Sequence, residues 1–329
     1  MHFKKIKAIV HNDLDGVVSY IVLAYYFGAE NINVSFADYS SIDKVVSDSL
    51  DNSDEYSKIY LADISVKNEE IISRIEEFNS HSNCKIKLID HHATALDLNK
   101  YSWANVSVEL NGRLTCGAEL VLEYCKQSGF KPYKKNTSNA CLATGDSDSK
   151  KVTLDEFVEL TRRYDTWEWN TKYNDTVAKE LNDLLFLIGV TKFKTIFTSR
   201  IVGSDKFELF DIKDRTLLEQ RQEEIDEYIK KMKTRIYPAT IQGFSAGVVF
   251  AENFTSELGN KLAEMNPEYD FILIVKMSSG KMSLRTIKDD VDVSAIAKKF
   301  GGGGHVKASG ASFDKKFINN FIQLAFCQD

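Results

Sequence analysis

Short apolar runs, each ending in an acidic residue or a histidine, constrain this chain more than any other feature. Residues 6–10 lead into His11-Asn12-Asp13-Leu14-Asp15-Gly16, residues 58–62 end at Asp63, and residues 85–89 end at Asp90-His91-His92. A further run covers residues 33–36. Apolar runs this short, bounded by polar residues, read as strands. Between them lie helical patterns: residues 17–27, closed by Gly28, and residues 68–78, with Ile71, Ile72, Ile75 and Phe78 at helical spacing. Strands alternating with helices predict an α/β fold with a parallel sheet and helices on both faces. Ligands bind such sheets beyond the carboxyl ends of the strands. Three of the four candidate strands deliver acids or histidines to that edge.

The chain has 329 residues, and at about 100–200 residues per domain this predicts two domains. With 3 prolines in all and no Gly/Ser-rich tract, the connection between them is expected to be structured. Residues 181–237 look helical, and 207–236, rich in Glu, Lys, Gln and Leu, reads as a connecting helix. After Pro238 the pattern changes to strands at 246–251, 271–275 and 281–286 and helices at 257–265, with Ser256 as N-cap, and 294–300. On the last strand Leu284 points inward and Arg285 to the other face. The final helix runs into Gly301-Gly302-Gly303-Gly304-His305. The reading is a catalytic domain over 1–185, a helical linker over 186–240 and a smaller α/β domain over 241–329. A helix 154–164 is also expected.

Composition removes several function classes. The formal net charge is −6, so the chain lacks the basic total typical of proteins that wrap long duplex nucleic acid. A local basic pocket for a short anionic substrate remains compatible with it. No run of about 18 apolar residues occurs, and the apolar start is too short for a signal peptide. The five cysteines, Cys84, Cys116, Cys125, Cys141 and Cys327, are scattered without a CxxC pair. That argues against structural zinc and a disulfide framework and for a reducing, cytoplasmic setting.

The strand ends carry the chemistry. His11, Asp13 and Asp15 lie within five residues, Asp63 ends another strand, and His91 follows Asp90 at a third. Each piece alone has a plainer reading, since an Asp after a strand commonly caps the next helix. Their convergence on one sheet edge favours a metal centre. Hard carboxylate oxygens with imidazole suit Mn²⁺ or Mg²⁺, and two cations sharing a carboxylate would activate water without a side-chain nucleophile. The four glycines admit close approach of backbone amides to an anion. A flexible turn is the alternative there, and Arg285, His305 and Lys307 nearby favour the anion.

His11-Asn12-Asp13-Leu14-Asp15-Gly16, Leu61-Ala62-Asp63 and Leu88-Ile89-Asp90-His91-His92 resemble the first three motifs of the DHH phosphoesterase superfamily. Gly301 to Gly310, GGGGHVKASG, is similar to the glycine-rich signature of the companion DHHA1 domain. Asn12, the stretch Arg162-Arg163-Tyr164-Asp165-Thr166-Trp167-Glu168-Trp169, and Ser256-Glu257-Leu258-Gly259-Asn260 are similar to the nanoRNase B-type oligoribonucleases within it. The resemblance implies a parallel-sheet DHH domain joined by a helical linker to a smaller α/β DHHA1 domain. It implies two divalent ions, Mn²⁺ or else Mg²⁺: His11 and Asp13 on the first, Asp15 and His91 on the second, and Asp63 bridging. Asp165 would supply the fourth-motif ligand, with Asp146 as the rival. Asp90 would orient His91, and His92 would contact the scissile phosphate. Arg285, Gly302, Gly303, Gly304, His305 and Lys307 would hold the substrate, with the space between the domains measuring its length.

The implied activity is hydrolysis of short single-stranded RNA to nucleoside 5′-monophosphates. Cyclic or linear dinucleotide hydrolysis and 3′-phosphoadenosine 5′-phosphate dephosphorylation are the alternatives, with a non-catalytic nucleotide sensor as a more distant one. Oligomeric state, including a homodimer, is left open.

Overall fold

A computed structural model of the chain describes residues 4–82, 85–134 and 151–314, with 316, 319, 320 and 323 beyond. It divides into two compact units, Met1–Leu218 and Glu219–Asp329.

The first unit is built on five parallel strands: β1 (Lys5–His11), β2 (Ile32–Ala37), β3 (Tyr56–Ala62), β4 (Lys85–Asp90) and β5 (Ala104–Val106), in the order β2-β1-β3-β4-β5. Both faces of the sheet are buried, as parallel sheets require. Along β1 and β3 the side chains alternate between two cores. Ala8, Val10, Tyr60 and Ala62 point into one, and Ile9, Ile59 and Leu61 into the other. Helices α1 (Leu14–Phe27), α4 (Gly117–Gln127), α5 (Leu154–Asp165), α6 (Val177–Ile188) and α7 (Val190–Ile201) cover the first face. Helices α2 (Ile42–Asp51) and α3 (Glu69–His81) cover the second.

The strand order reverses direction between β1 and β3, which makes their carboxyl ends the switch point where α/β sheets bind ligands. The register levels those ends. Val10 pairs with Ala62 and Ala62 with Ile89, and the Asp63 amide donates to the Ile89 carbonyl at 3.0 Å. His11, Asp63 and Asp90 therefore emerge side by side.

Helix α1 begins at Leu14, earlier than its apolar pattern indicates, because Asp13 caps it by accepting from the Gly16 amide. Helices α2 and α4 and the edge strand β5 are absent from the sequence reading. Much of 186–240 belongs to the first unit: Phe193, Phe197 and Ile201 are fully buried in its core. Helix α8 (Ile212–Lys233) crosses the division, with Leu218 in the first core and Ile225, Ile229 and Met232 in the second.

The second unit is a six-stranded mixed sheet: β6 (Tyr237–Ile241), β7 (Phe244–Phe250), β8 (Phe271–Lys276), β9 (Lys281–Arg285), β10 (Gly303–Gly304) and β11 (Ala308–Ser312), in the order β6-β7-β8-β9-β11-β10. Only the β7–β8 pair is parallel. Helices α9 (Thr255–Met265) and α10 (Val293–Lys298) pack on it. Ser256 lies inside α9 rather than capping it; the N-cap position falls to Phe254, in the left-handed region at φ 51°. Among the described residues no helix is long and apolar enough to cross a membrane.

Candidate metal centre

Every side chain read as a metal ligand arrives at one place. His11 ends β1. Asp13 and Asp15 sit in the turn into α1 and in its first residues. Asp63 follows β3, His91 follows β4, and Asp165 closes α5. Three groups of ligand atoms form there: His11 with Asp13 and Asp63; Asp15 with His91 and Asp165; and Asp63 with His91 and His92. Asp63 faces both halves. Its Oδ2 lies 3.8 Å from His11 Nδ1 and its Oδ1 lies 3.2 Å from His91 Nε2. His91 Nε2 is also 3.5 Å from Asp165 and 3.6 Å from Asp15. Asp146, the rival to Asp165, lies outside the described residues.

Local structure explains why this crowding is possible. Asp13 acts as a cap through Oδ1, accepting from Gly16, while its Oδ2 sits 2.6 Å from His11 Nδ1. The helix-cap reading and the ligand reading of this residue are thus compatible. Asp15 is 2% exposed, and its two oxygens accept from the Gly117 and Ala118 amides at 2.6 and 2.8 Å. The N-terminus of α4 thereby supports a buried negative charge. Two glycines permit the approach. A Cβ on Gly16 would stand 2.2 Å from the His11 carbonyl oxygen, and one on Gly117 would stand 2.6 Å from the Asp63 Cβ. Asp63 holds a left-handed backbone, φ 59°, uncommon for a residue with a side chain and concentrated at functional sites.

The electrostatics call for a cation. Both Asp63 oxygens and His91 Nε2 are buried without a hydrogen-bond partner. Burial, with Asp15 and Asp13 next to it, drives the Asp63 carboxyl well above its usual range. Burial and then Asp15 raise the Asp165 carboxyl to about 8. Carboxylates this close cannot all stay charged unless positive charge is placed among them. The donor set, four carboxylates with imidazole and no thiolate, suits a hard divalent ion. The residues present therefore fit one or two such ions.

Asp90 departs from its expected partner. Its Oδ1 accepts from the backbone amide of His91 at 2.8 Å and from the ring Nδ1 of His92 at 2.8 Å. It orients His92, not the His91 ring. Burial opposes ionisation of Asp90, yet the His92 ring and the His91 amide outweigh it and hold its carboxyl below the usual value. The same hydrogen bond raises the His92 pKa. The ring's other nitrogen, Nε2, lies 3.0 Å from the Tyr39 hydroxyl.

The second unit has its own basic cavity of about 410 Å³, lined among others by Ser256, Lys276, Lys281, Arg285 and Gly302. Arg285 donates to Ser256 Oγ at 3.2 Å, and burial lowers its pKa. Gly303, Gly304, His305 and Lys307 do not line this cavity. Gly303 and Gly304 form β10 and pair with β11. Gly304 needs its φ of 139°, and a Cβ on Gly302 would stand 2.0 Å from the Gly310 carbonyl oxygen. Close backbone packing thus accounts for part of the glycine run. The His305 backbone closes a turn with Ala308. Lys307 is drawn away to the Ile287 carbonyl and to Asp289, 2.8 Å from its carboxylate. Lys276 and Lys281 were missed in the sequence because isolated lysines on strands carry no positional signal. Gly117 was missed because helix α4 was.

Residues 5–145 match the model of the DHH family, N-terminal domain. Over 321 residues the chain is 39% identical to Oligoribonuclease NrnB of Bacillus subtilis (strain 168), covering 96% of this chain and 75% of that protein. Among solved structures, the pGpG-specific phosphodiesterase PggH of Vibrio cholerae superposes with a TM-score of 0.52 at 11% identity, covering 97% of each chain. At that identity the likeness is one of fold. A family model matched across the sheet that carries the cluster, together with a relative this similar over nearly the whole length, establishes that the chain belongs to the DHH family.

Proposed function

We propose that this chain is a divalent-metal-dependent phosphodiesterase that degrades short oligoribonucleotides to nucleoside 5′-monophosphates, with Mn²⁺ as the working ion. The single observation that carries the reading is the pair of histidine–carboxylate clusters sharing Asp63. The 39% identity to an oligoribonuclease over 96% of the chain selects RNA among the phosphodiesters. His11, Asp13 and Asp63 would hold one ion, and Asp15, His91, Asp165 and Asp63 the other. Two such ions supply an acidified water and positive charge against the phosphoryl oxygens. The protein's own part is orientation. Asp90 fixes the His92 ring, so that Nε2 can meet a phosphoryl oxygen as charge builds on it. The second unit is read as a DHHA1-type substrate holder that uses Arg285, Lys276 and Lys281 on phosphate.

The test is a panel of oligoribonucleotides of increasing length, linear and cyclic dinucleotides and 3′-phosphoadenosine 5′-phosphate, compared by kcat/KM with Mn²⁺ present. The reading expects oligomers of a few nucleotides to lead. A lead for a cyclic dinucleotide or for 3′-phosphoadenosine 5′-phosphate would reassign the substrate. Binding without turnover across the panel would make the protein a sensor.

A further inference from the structure

Tyr39 stands beside the cluster, in the turn between β2 and α2. That turn is firmly built. Asp38 Oδ1 accepts from the amides of Ser40 and Ser41 at 2.9 and 3.0 Å and from their hydroxyls at 2.6 and 2.9 Å. The Ser41 hydroxyl accepts in turn from the Asp38 amide at 3.0 Å. The backbone on both sides of Tyr39 is thereby fixed, although Tyr39 itself is 49% exposed. The exposed ring is held on several sides. It meets the His92 ring edge-on, with centroids 6.0 Å apart, and lies 5.3 Å from the His11 ring. The Lys67 ammonium is 5.0 Å from its centroid, within cation–π range. The hydroxyl is 3.0 Å from His92 Nε2.

His92 Nδ1 faces Asp90 Oδ1 at 2.8 Å, which leaves Nε2 to face Tyr39. Nε2 and the Tyr39 hydroxyl share one hydrogen bond, and either group can be a donor. A phenolic hydrogen swings about its C–O bond, so this donor can be redirected without moving a heavy atom. A phosphoryl oxygen that reaches Nε2 meets the hydroxyl at the same point, because two polar atoms 3.0 Å apart can both lie at hydrogen-bond distance from one oxygen.

We propose that Tyr39 is a further catalytic residue, whose hydroxyl turns from His92 Nε2 to a non-bridging phosphoryl oxygen and holds it together with His92. The proposal rests on the reading of His92 as a phosphoryl contact. The class of ligand is a phosphodiester with a free non-bridging oxygen. The hydroxyl contributes most where negative charge on that oxygen is greatest, in the transition state.

The test uses the full chain with Mn²⁺ and a labelled pentaribonucleotide, in Tyr39→Phe, His92→Ala and the double variant. Phenylalanine keeps the ring against His11 and Lys67 and removes only the donor. The expected result is a roughly 10- to 100-fold fall in kcat, with KM within about threefold. An unchanged Tm and Mn²⁺ affinity would show that fold and metal site are intact. In the His92→Ala background the further loss from Tyr39→Phe should shrink, because the two donors serve one oxygen. Wild-type kcat in Tyr39→Phe, or a loss in KM alone, overturns the proposal while the reading of His92 stands. Wild-type kcat in His92→Ala overturns that reading, and the proposal falls with it. Full additivity of the two losses overturns the shared oxygen.

Discussion

A methyl group on Gly117 would sit 2.6 Å from the Asp63 Cβ and 3.1 Å from Asp15 Oδ2. Neither neighbour can yield easily, since Asp63 is 1% exposed and Asp15 is held by two amides of α4. Gly117→Ala should therefore displace the shared carboxylate and weaken Mn²⁺ binding by about 10- to 100-fold. Calorimetric titration of the metal checks this, and unchanged affinity would mean that the cluster tolerates the shift. Asp165 lends itself to a different measurement. Its carboxyl rises from 3.8 to about 8, through burial and then Asp15. Between those values the folded state keeps a proton that the unfolded chain has released, so the stability of the metal-free protein falls as pH rises across that window. Asp63, raised in the same direction, adds to the fall. Metal-free Asp165→Asn should gain Tm relative to wild type between pH 5 and pH 8, on a scale of about 2–4 °C per kcal/mol. A pH-independent difference would show that Asp165 is not perturbed. With Mn²⁺ bound, Asp165→Asn should lose at least about 100-fold in kcat, whereas Asp146→Asn should remain near wild type; the reverse pattern would move the fourth ligand to Asp146.

Helix α5 carries Asp165, and Arg162 anchors it. The Arg162 side chain is 0% exposed, donating to Glu159 at 2.8 and 2.9 Å, to Glu168 at 2.9 Å and to the Leu114 carbonyl at 3.1 Å. The last bond ties α5 to the segment leading into α4. Arg162→Met should cost stability at the lower end of roughly 3–5 kcal/mol, because Glu159 and Glu168 retain some access to water. Urea denaturation reads the change, and a loss under about 1 kcal/mol would show that the anchor is dispensable. Elements differed in how legible they were. β1, β3 and β4 were plain because continuous apolar runs are what a strand buried on both faces requires. Helix α2 was not: its sequence IDKVVSDSLD is rich in Ser, Asp and Val, poor helix formers, and it is held by burying Ile42, Val46 and Leu50. Helix α4 was hidden by its opening glycine. The cap of α9 fell at Phe254, a choice of tertiary packing that N-cap preferences do not anticipate. The side chains of the histidine–carboxylate cluster could be placed together from the sequence because strand ends at one sheet edge converge. Tyr39 follows the same rule, since it lies just past β2, another strand of that edge. It escaped notice because a tyrosine in a polar turn reads as surface.

At the scale of the molecule, the basic cavity of the second unit gives a prediction separable from the metal chemistry. Arg285→Ala or Lys281→Ala should lose a charge-assisted contact worth roughly 1.5–3 kcal/mol. That is about a 10- to 150-fold fall in kcat/KM on a pentaribonucleotide, mostly in KM. Hydrolysis of bis-p-nitrophenyl phosphate, with no oligonucleotide to hold, should be unchanged, and His305→Ala should be silent on both. Equal losses on both substrates would assign these residues to folding or chemistry. The account as a whole depends on Asp63, which faces both halves of the cluster. The most direct measurement follows monophosphate release from a labelled pentaribonucleotide by wild type and Asp63→Ala, each with Mn²⁺ and with EDTA. The account predicts nucleoside 5′-monophosphates from wild type with Mn²⁺ alone, and none from Asp63→Ala in either condition. Release by Asp63→Ala at the wild-type rate, or by wild type in EDTA, would contradict it.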